Sequence, residues 1–598
     1  GCLFITYEVA ALDKAITIDT SAVVKEKYKS YIYLKGVSSE EKDNFAALTQ
    51  KARKELHKAA RRFLEVSSWL FQQSLDEHFR HVDADPHEVA LWVLLKKAKS
   101  ANKAVRLQAV QELGENHNWH YQYQTAAQVI DQRTAVGLAR TPQVDLRFFR
   151  PPPALLNAQE DVSAEDGLRQ LLGSLPQSEV DKCVQYFTSL ALRESTQSLA
   201  AQRGGLWCFG GNGLPYAQSL TSVPSEKVES FCLQALVQHS KVQSHCGPIV
   251  KNGGLHLLEK IFQLRKDSLK IQRNIVRIIG NLAINESLHQ DIVQSWVSVL
   301  AEMMQSPHVM QASHAARALA NLDRETVMEK YQDGIYVLHP QTRGQDIKAD
   351  VLFIHGILGA AFKTWRQKDR SNSSEDDDME HRNDYTECWP KSWLAADCPN
   401  IRVLSVDYDT HLSDWMSKCP AEDQKSLAYR SQELLKKLQQ AGVGQRPVVW
   451  VAHSMGLLVK KMLLNAAEDP NMQELLKNTK GILFYSVPHR GTYMAEYSIN
   501  VRYLLFPSIE VRELCRSPAL CNLNEGFLNI VKKRDIRVLS RKGLSKTIIG
   551  PMIKILVVPT QSALGIGELI EVDVDHLNIC KPEKKNSFLY RRSLQFIQ

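Results

Sequence analysis

Apolar positions recur at helical spacing along the first half of the chain. Residues 51–69 carry an alanine and leucine stripe with basic residues opposite, which predicts an amphipathic helix. Residues 274–283 (NIVRIIGNLA) have a pattern of apolar and polar positions similar to that of residues 314–323 (HAARALANLD). The two segments place two Asn-Leu pairs 40 residues apart. A period of about 40 residues with paired amphipathic helices is typical of armadillo and HEAT repeats. A plain helical bundle is the alternative.

The pattern changes at about residue 345, where short runs of apolar residues begin to alternate with helical segments. The runs that predict strands are residues 351–354, 401–407, 447–451, 481–487 and 553–558. Helical periodicity separates several of them, at residues 426–441 and 457–467, and returns at residues 587–597. Short buried strands alternating with helices predict a mostly parallel α/β sheet that is covered on both faces.

These patterns divide the chain into three predicted parts. Residues 1–150 form a helical N-terminal region, residues 151–335 form armadillo-like repeats, and residues 345–598 form an α/β domain. Pro151, Pro152 and Pro153 mark the first boundary, because proline cannot continue a helix. The apolar opening of residues 1–7 is too short to span a bilayer, and we interpret it as the remnant of a membrane anchor, with a buried helix start as the alternative.

Composition excludes several classes of protein. Charged residues make up 23% of the 598 residues and hydrophobic residues 44%, as in folded soluble proteins. A net charge of +8 over this length is too weak to indicate nucleic-acid binding. The 11 cysteines are odd in number and form no C-x-x-C pair, which argues against a disulfide framework and against zinc. We expect no metal and no cofactor.

Ser454 carries the strongest chemical signal in the chain. It lies in the sequence VVWVAHSMG, where an apolar strand ends in a small residue and is followed by Ser454, Met455 and Gly456. This is close to the G-x-S-x-G nucleophile elbow of α/β-hydrolases, a sharp turn that presents a serine Oγ at the top of the sheet. The small residues on either side are needed because strand and helix backbones nearly touch there.

A serine nucleophile needs an imidazole that takes its proton, and in this fold the histidine comes last in the chain. His576 follows the last predicted strand and is the best candidate for this base. His355 and His453 are placed to shape turns, and His489 to line the pocket. The oxyanion hole is expected from the amide of Met455 and from that of Ile357 or Leu358 in the early loop HGILG.

The acid of the triad is harder to place. Residues 559–563, which follow the predicted strand 553–558, contain Gln561 and no carboxylate. A glutamine can orient an imidazole but cannot stabilise its cation by charge. Glu568, Glu571 and Asp573 are later candidates, and Asp573 is the one we select; Asp575 is adjacent to the histidine and is expected to point elsewhere.

Together these motifs resemble the serine active site-containing proteins, a lipase-like α/β-hydrolase family. Three segments carry the resemblance beside the elbow: residues 355–365 (HGILGAAFKTW), 484–489 (FYSVPH) and 575–582 (DHLNICKP). It extends through residues 206–213 (LWCFGGNG) and covers nearly the whole chain. It implies a membrane-associated protein of mitochondria and of their contacts with the endoplasmic reticulum. It also implies phosphatidylglycerol remodelling, with effects on cardiolipin and intracellular cholesterol, and an N-terminal membrane anchor.

The chain departs from the family pattern in two places. The family elbow has a second glycine where this chain continues with Leu457, so the following helix either rotates by about 100° or starts after a shorter turn. The family carries a glutamate at the position of Gln561 and an aspartate between the residues matching Ala563 and Leu564. Both losses affect the acid of the triad more than the fold.

Two functions are therefore open. The first is a serine-dependent esterase or acyltransferase that acts on a glycerophospholipid at a membrane surface. The alternative is a non-catalytic scaffold, in which the hydrolase domain has lost its catalytic activity and a protein partner binds the helical repeats. A basic run from residue 532 to residue 546 is either a solvated loop or an edge that faces lipid headgroups.

Overall fold

The computed structural model describes fourteen parts of the chain: residues 86–115, 120–151, 163–176, 182–192, 225–342, 346–357, 359–367, 388–410, 426–492, 509–515, 517–549, 553–555, 558 and 567–598. The chain divides into two units, residues 1–93 and 94–598, and only residues 86–93 of the first are described. The predictions for residues 1–7, 51–69 and 206–213, and for Leu358 and Gln561, lie outside the described residues. The three-part domain division stays a prediction.

The described helices before the sheet are short and closely spaced. Twelve of them, numbered α1 to α12, are Pro86–Ala98, Lys103–Glu115, His120–Val129, Gln132–Ala139, Ala164–Gly173, Lys182–Leu192, Ser225–His239, Gln243–Lys251, Gly254–Leu264, Leu269–Leu282, His289–Met304 and Val309–Leu322. Short helical turns lie at Leu146–Phe148 and Glu286–Leu288. None of the helices in the described part of the chain is both long and apolar enough to cross a bilayer.

Hydrogen bonds join these helices at a regular interval. The side chain of Asn281 donates to Ser240 Oγ (2.8 Å), that of Trp296 to the carbonyl of Leu255 (3.3 Å) and that of Asn321 to the carbonyl of Gly280 (3.0 Å). Each bond spans 41 residues. The predicted period of about 40 residues therefore appears as repeated contacts between helices; the armadillo-like assignment itself stays a prediction.

A seven-stranded sheet follows the helices, with the strand order β1-β3-β2-β4-β5-β6-β9. The strands β1 to β9 are Ile335–His339, Ala349–Ile354, Ile401–Val406, Val448–His453, Thr479–Tyr485, Arg537–Gly543, Thr547–Ile549, Ile553–Ile555 and Glu568–Val572. Only β1 runs antiparallel in this sheet, and the other pairings are parallel. Every residue of β4 is buried, as expected for a central strand that is covered on both faces.

Helices cover both faces of the sheet. Those of the second half, α13 to α18, are Leu427–Gln440, Gly456–Glu468, Gln473–Asn478, Ile509–Glu513, Pro518–Arg534 and Phe588–Ile597, and short helical turns lie at Pro390–Leu394, Ala395–Asp397 and Pro470–Met472. On one face, Leu438, Met462 and Phe527 from α13, α14 and α17 pack against the strands. Trp389 and Tyr590 pack on the other face. The strand order and the turn from β4 into α14 are those of an α/β-hydrolase domain, which confirms this part of the predicted fold class.

The prediction that residues 553–558 form a strand of the main sheet is wrong. Ile553–Ile555 pairs antiparallel with Thr547–Ile549 in a separate two-stranded sheet. The main sheet instead continues with β6 and ends with β9. The error arose because residues 553–558 are apolar at every position but Lys554, whereas β6 and β9 contain several charged residues.

The interpretation of the basic run as a solvated loop is also wrong, whereas the alternative of an edge that faces lipid headgroups stays a prediction. Lys532 and Lys533 lie in the last turn of α17, where cations interact favourably with the helix dipole. Arg541 and Lys542 lie in β6 and are almost fully buried. Arg541 donates to the carbonyl of Leu589 (2.7 Å), so this charge is used inside the domain rather than at a membrane surface.

Buried ion pairs join the helices of residues 94–322 to the start of the sheet. Arg277 of α10 donates to both carboxylate oxygens of Asp333 (3.1 and 2.7 Å), just before β1. Arg317 of α12 is fully buried and donates to the carbonyl of Tyr331 (2.9 Å). Because removing one partner of a buried pair costs about 3–5 kcal/mol, these contacts fix the last helices against the sheet.

Candidate active site

Ser454 occupies the turn between β4 and α14. Its φ angle is +59°, in the left-handed region that residues with a Cβ rarely adopt. Its amide donates to the carbonyl of Tyr485 on the neighbouring strand (2.9 Å). A strained residue persists only where its surroundings fix it, at a cost of about 1–3 kcal/mol. The predicted nucleophile elbow is therefore present in its geometry.

Glycines on both sides of the serine permit the turn. A Cβ at Gly356 would lie 2.5 Å from the Cβ of Ser454, and a Cβ at Gly456 would lie 2.6 Å from Val487 and 2.7 Å from Phe484. The family has a second glycine at the position of Leu457. It is not required here, because α14 begins directly at Gly456. The next residue, Leu457, is buried in an apolar cluster beside the elbow.

His453 connects the elbow to the loop that carries His576. Its Nε2 lies 2.7 Å from the carbonyl oxygen of His576, which accepts the bond and so fixes the proton of His453 on Nε2. The two ring centroids are 4.8 Å apart. Burial lowers the pKa of His453 to about 4, so this imidazole is neutral at physiological pH. As the sequence predicted, His453 shapes the turn.

His576 itself is buried close to the elbow, four residues after β9. Burial lowers its pKa well below the usual value, and the nearby imidazole of His453 adds to this because two positive charges would repel each other. The loop is held tightly, since a Cβ at Gly543 would lie 2.4 Å from the carbonyl oxygen of Val574. The structure thus brings Ser454, Gly356 and the His576 segment together around His453.

The carboxylates near this loop have other partners. Asp573 accepts from Ser545 Oγ (2.8 Å), and Asp575 accepts from the amides of Leu577 (3.0 Å) and Asn578 (2.8 Å). Asp575 was expected to point elsewhere, and in the structure its carboxylate caps the local turn. The assignment of Asp573 as the orienting acid stays a prediction, because the contact that the structure gives its carboxylate is to a serine.

The other acids considered for the triad lie in β9 itself. Glu571 pairs with the buried Lys542 (3.2 Å), and Glu568 pairs with Arg592 of α18 (2.7 Å). Both ion pairs stabilise the edge of the sheet. Neither residue follows the strand as Asp573 does, so their position gives no reason to prefer them.

The two residues predicted to supply the oxyanion donors have side chains in one apolar cluster. Met455 is buried, and the side chain of Ile357 packs against the same apolar cluster. The amide of Met455 donates to the carbonyl of His453 (2.5 Å). It would have to turn toward a substrate to stabilise an oxyanion, a change that often accompanies substrate binding.

Two residues that the sequence analysis did not select hold the early loop in place. The Tyr408 hydroxyl donates to the carbonyl of His355 (2.5 Å), and its ring stacks on that imidazole at 4.3 Å. Asp407 accepts from the amide of Ala361 (3.1 Å). Both follow β3, which lies next to β2 in the sheet, and a polar pair at the end of a strand is the signal that could have found them.

Within the described ranges, no three residues of the types His, Cys, Asp and Glu lie close enough together to hold a metal ion. The arrangement can support covalent catalysis through a serine.

Comparison with known proteins identifies the family. The family model described as the SERAC1 N-terminal domain matches residues 82–152. Protein SERAC1 from Danio rerio is 73% identical over 607 residues, which cover 100% of this chain and 92% of the relative. The chain belongs to the SERAC1 family. Protein SERAC1 from Homo sapiens is 59% identical over 604 residues, with the same shares of both chains covered. The resemblance inferred from the motifs is thereby confirmed.

Solved structures also resemble the SERAC1-family chain, but distantly. The lipase BlEst2 from Bacillus licheniformis is 13% identical, with a TM-score of 0.27, and covers 44% of this chain and 97% of its own. The phospholipase PlaB from Legionella pneumophila is 13% identical, with a TM-score of 0.22, and covers 33% of this chain and 40% of its own. The fold assignment therefore relies on the strand order and the elbow.

Proposed function

We propose that this chain is a serine-dependent lipid esterase or acyltransferase that acts on glycerophospholipid esters. The observation that carries the proposal is the strained Ser454, with a φ angle of +59° and Gly356 packed directly against it. Proteins keep such strain mainly where it serves a function.

The proposed reaction begins when Ser454 Oγ attacks the ester carbonyl carbon and His576 accepts its proton. The amides of Met455 and Ile357 stabilise the negative oxygen that forms. As the ester bond breaks, His576 returns the proton to the leaving alcohol and the acyl group stays on the serine. Water then releases a fatty acid, or a second lipid hydroxyl accepts the acyl group. We assign Asp573 to orient the imidazole.

The surroundings of the serine support an acyl chain as part of the substrate. Met455, Leu457, Leu514 and Leu520 form a buried apolar cluster next to the elbow, and Ile357 packs against it. Apolar walls with few polar groups are usual in sites that bind small apolar ligands. A fatty acyl chain fits this environment better than a sugar or a peptide backbone.

From the family resemblance we further propose that the lipid is phosphatidylglycerol. Its remodelling would change cardiolipin composition and intracellular cholesterol. We also propose that the protein works at a membrane surface, in mitochondria and at their contacts with the endoplasmic reticulum, and that its helical repeats are armadillo-like and bind a protein partner.

The test compares the release or transfer of acyl groups from phosphatidylglycerol by the purified full chain and by Ser454→Ala. Ser486→Ala is a matched control, because Ser486 is also buried at a strand end and also has a positive φ, of +46°. We expect activity in the wild type and in Ser486→Ala and none in Ser454→Ala. Equal turnover by all three proteins, or by none, would remove Ser454 from any catalytic role.

A second candidate function is the non-catalytic scaffold. Two observations favour it: the Met455 amide is occupied by the carbonyl of His453, and the Asp573 carboxylate by Ser545. Both groups are therefore committed to contacts inside the domain. The test is rescue of a lipid phenotype in deficient cells. If Ser454→Ala binds the partners of the wild type but does not rescue, the scaffold function fails; full rescue would support it.

A further inference from the structure

A cavity of about 200 Å³ lies between the last helices before the sheet and the loop that follows β2. We infer that this cavity is a binding site for a phosphoryl group, separate from the proposed ester site. Its walls come from α10, from the end of α11, from the start of α12 and from residues 360–366 of the loop. Ligands prefer such concave sites between packed layers.

The charged groups that line the cavity are all basic. Arg273, Lys363, Arg366, His308 and His314 line it, and none of its lining residues is acidic. Two of these residues bring buried nitrogen atoms that have no hydrogen-bond partner in the described part of the chain, Arg273 Nε and His314 Nδ1. Because a buried polar atom without a partner costs about 1–3 kcal/mol, an anion here would satisfy groups that the fold leaves unsatisfied.

His314 is the most constrained of these groups. Only 3% of it is exposed, and its ring lies edge-on to Tyr336 at 4.7 Å and to Phe362 at 6.2 Å. Burial lowers the pKa of His314 well below its usual value, and the charges of Arg277 and Arg273 lower it further. The ring is therefore held in place within a positive field that a bound anion would offset.

Asp333, a carboxylate close enough to act on the His314 ring, does not supply that anion. It is already paired with Arg277 (2.7 Å) and Lys241 (3.2 Å), with Arg317 at 3.8 Å. Its carboxylate therefore stabilises the junction between the helices and the sheet. Among the described residues, Arg273 Nε and His314 Nδ1 have no hydrogen-bond partner, and an anion bound in the cavity would supply one.

A phosphoryl group fits the arrangement better than a carboxylate. The donors come from separate elements and surround the cavity, and a tetrahedral group offers oxygens in several directions whereas a carboxylate offers two in one plane. Guanidinium and imidazole groups at such positions form strong, charge-assisted bonds to phosphate oxygens. Leu269, Met303, Val309 and Phe362 give the rest of the wall an apolar character. Free phosphate and the headgroup of a phospholipid share this chemistry.

The cavity also touches the loop that packs on the elbow. Phe362 and Lys363 belong to the same loop as Gly356, whose backbone lies against Ser454. Ser405 Oγ of β3 donates to the carbonyl of Ala361 (2.6 Å) and holds this loop to the sheet. A bound phosphoryl group would brace the loop from its other side. That effect on catalysis depends on the proposed function, whereas the binding itself does not.

The test is calorimetric titration of the full chain with inorganic phosphate and, separately, with dihexanoylphosphatidylglycerol below its micellar concentration. Arg273→Gln and Lys363→Gln each remove one donor, and Lys363 is exposed, so its replacement leaves the core intact. Lys251→Gln, an exposed lysine at the end of α8, is the control. We expect each cavity variant to bind at least about tenfold more weakly and the control to bind as the wild type does.

The two titrants separate the sources of the phosphoryl group. Tighter binding of the short-chain lipid than of phosphate, with the same loss in the variants, identifies a lipid headgroup; equal affinities identify free phosphate. No binding to the wild type would overturn the inference. So would unchanged binding by Arg273→Gln and Lys363→Gln, or an equal loss in Lys251→Gln, which would indicate general charge attraction. The titrations with phosphate do not depend on Ser454 being reactive, and those with the lipid are made in the Ser454→Ala background so that no ester is turned over.

Discussion

Replacing Gly356 by alanine should disable the nucleophile without unfolding the domain. The added Cβ would lie 2.5 Å from the Cβ of Ser454 and 3.1 Å from both the Nδ1 and the carbonyl oxygen of His453. Carbon atoms pack at about 3.5–4.0 Å, so the two residues must separate by about 1 Å or more. The Ser454 amide is tied to the carbonyl of Tyr485, which leaves little room for a harmless shift.

The size of both effects follows from this geometry. A misplacement of about 1 Å costs about 100-fold in reaction rate, and overpacking of a filled site costs about 1–3 kcal/mol of stability. The assay is the rate of reaction with a fluorophosphonate probe, together with the free energy of unfolding in urea. Gly173→Ala is the control, because nothing beyond its own helix backbone and its chain neighbours lies within 4 Å of the Cβ it would gain and the helix α5 favours alanine.

Gly173→Ala should react with the probe as the wild type does and gain about 0.5–1 kcal/mol of stability. If Gly356→Ala reacted with the probe at the wild-type rate, the close packing of this loop on the serine would have no part in the site. A lower rate with wild-type stability would still agree with the reasoning.

Three further predictions follow from the buried and polar groups near the site. The pKa of His453 falls from about 6.5 in the unfolded chain to about 4 in the folded one, so this residue contributes about 3 kcal/mol to the free energy of unfolding above pH 6.5 and loses that contribution as the pH falls toward 4. The free energy of urea unfolding of His453→Asn should therefore depend less on pH over this range. An unchanged pH dependence would contradict this prediction. Asp573→Asn should lower turnover about tenfold or more with little change in KM, whereas Ser545→Ala should leave turnover unchanged. If both variants had small and equal effects on turnover, Asp573 would be excluded as the acid of the triad. Lys460 is fully buried with its Nζ 2.6 Å from Asn524 Oδ1, and burial lowers its pKa well below the usual value. The double variant Lys460→Met, Asn524→Leu should therefore gain stability over the wild type by up to about 1.4 kcal/mol per unit as the pH falls below 10.4, and an equal pH dependence of unfolding in the two proteins would refute this.

The local features of the site could be predicted because they depend on short stretches of sequence. The elbow needs a buried strand, a serine and a small residue on each side, and residues 448–456 contain all of them. His576 could be placed because the base follows the last strand in this fold. The central strands were predicted within a few residues, since a strand buried on both faces has an uninterrupted apolar run.

The parts that were missed depend on contacts between distant segments. Arg541 and Lys542 made β6 look like a solvated loop, yet Arg541 lies over the ring of Tyr485 at 5.2 Å and Lys542 pairs with Glu571 of β9. No local pattern gives these partners. The same holds for Tyr408, which contacts His355 across the sheet and not along the chain.

The acid of the triad was hard to predict for a related reason. Asp573 was selected by its place after the last strand, but an orienting role depends on where its carboxylate points. That direction is set by the partner at the other end of the bond, which the structure gives as Ser545 of the loop after β6. Position along the chain limits the candidates and does not choose among them.

Mass-spectrometric mapping of the fluorophosphonate adduct on the intact chain tests the central claim most directly. The account predicts one dominant adduct, on the peptide that contains Ser454, which disappears in Ser454→Ala and on prior unfolding. Ser486, which shares its burial and positive φ, should remain unmodified. An intact, folded chain that carries no adduct at Ser454, or carries equal adducts at Ser486, would contradict the assignment of Ser454 as an activated nucleophile.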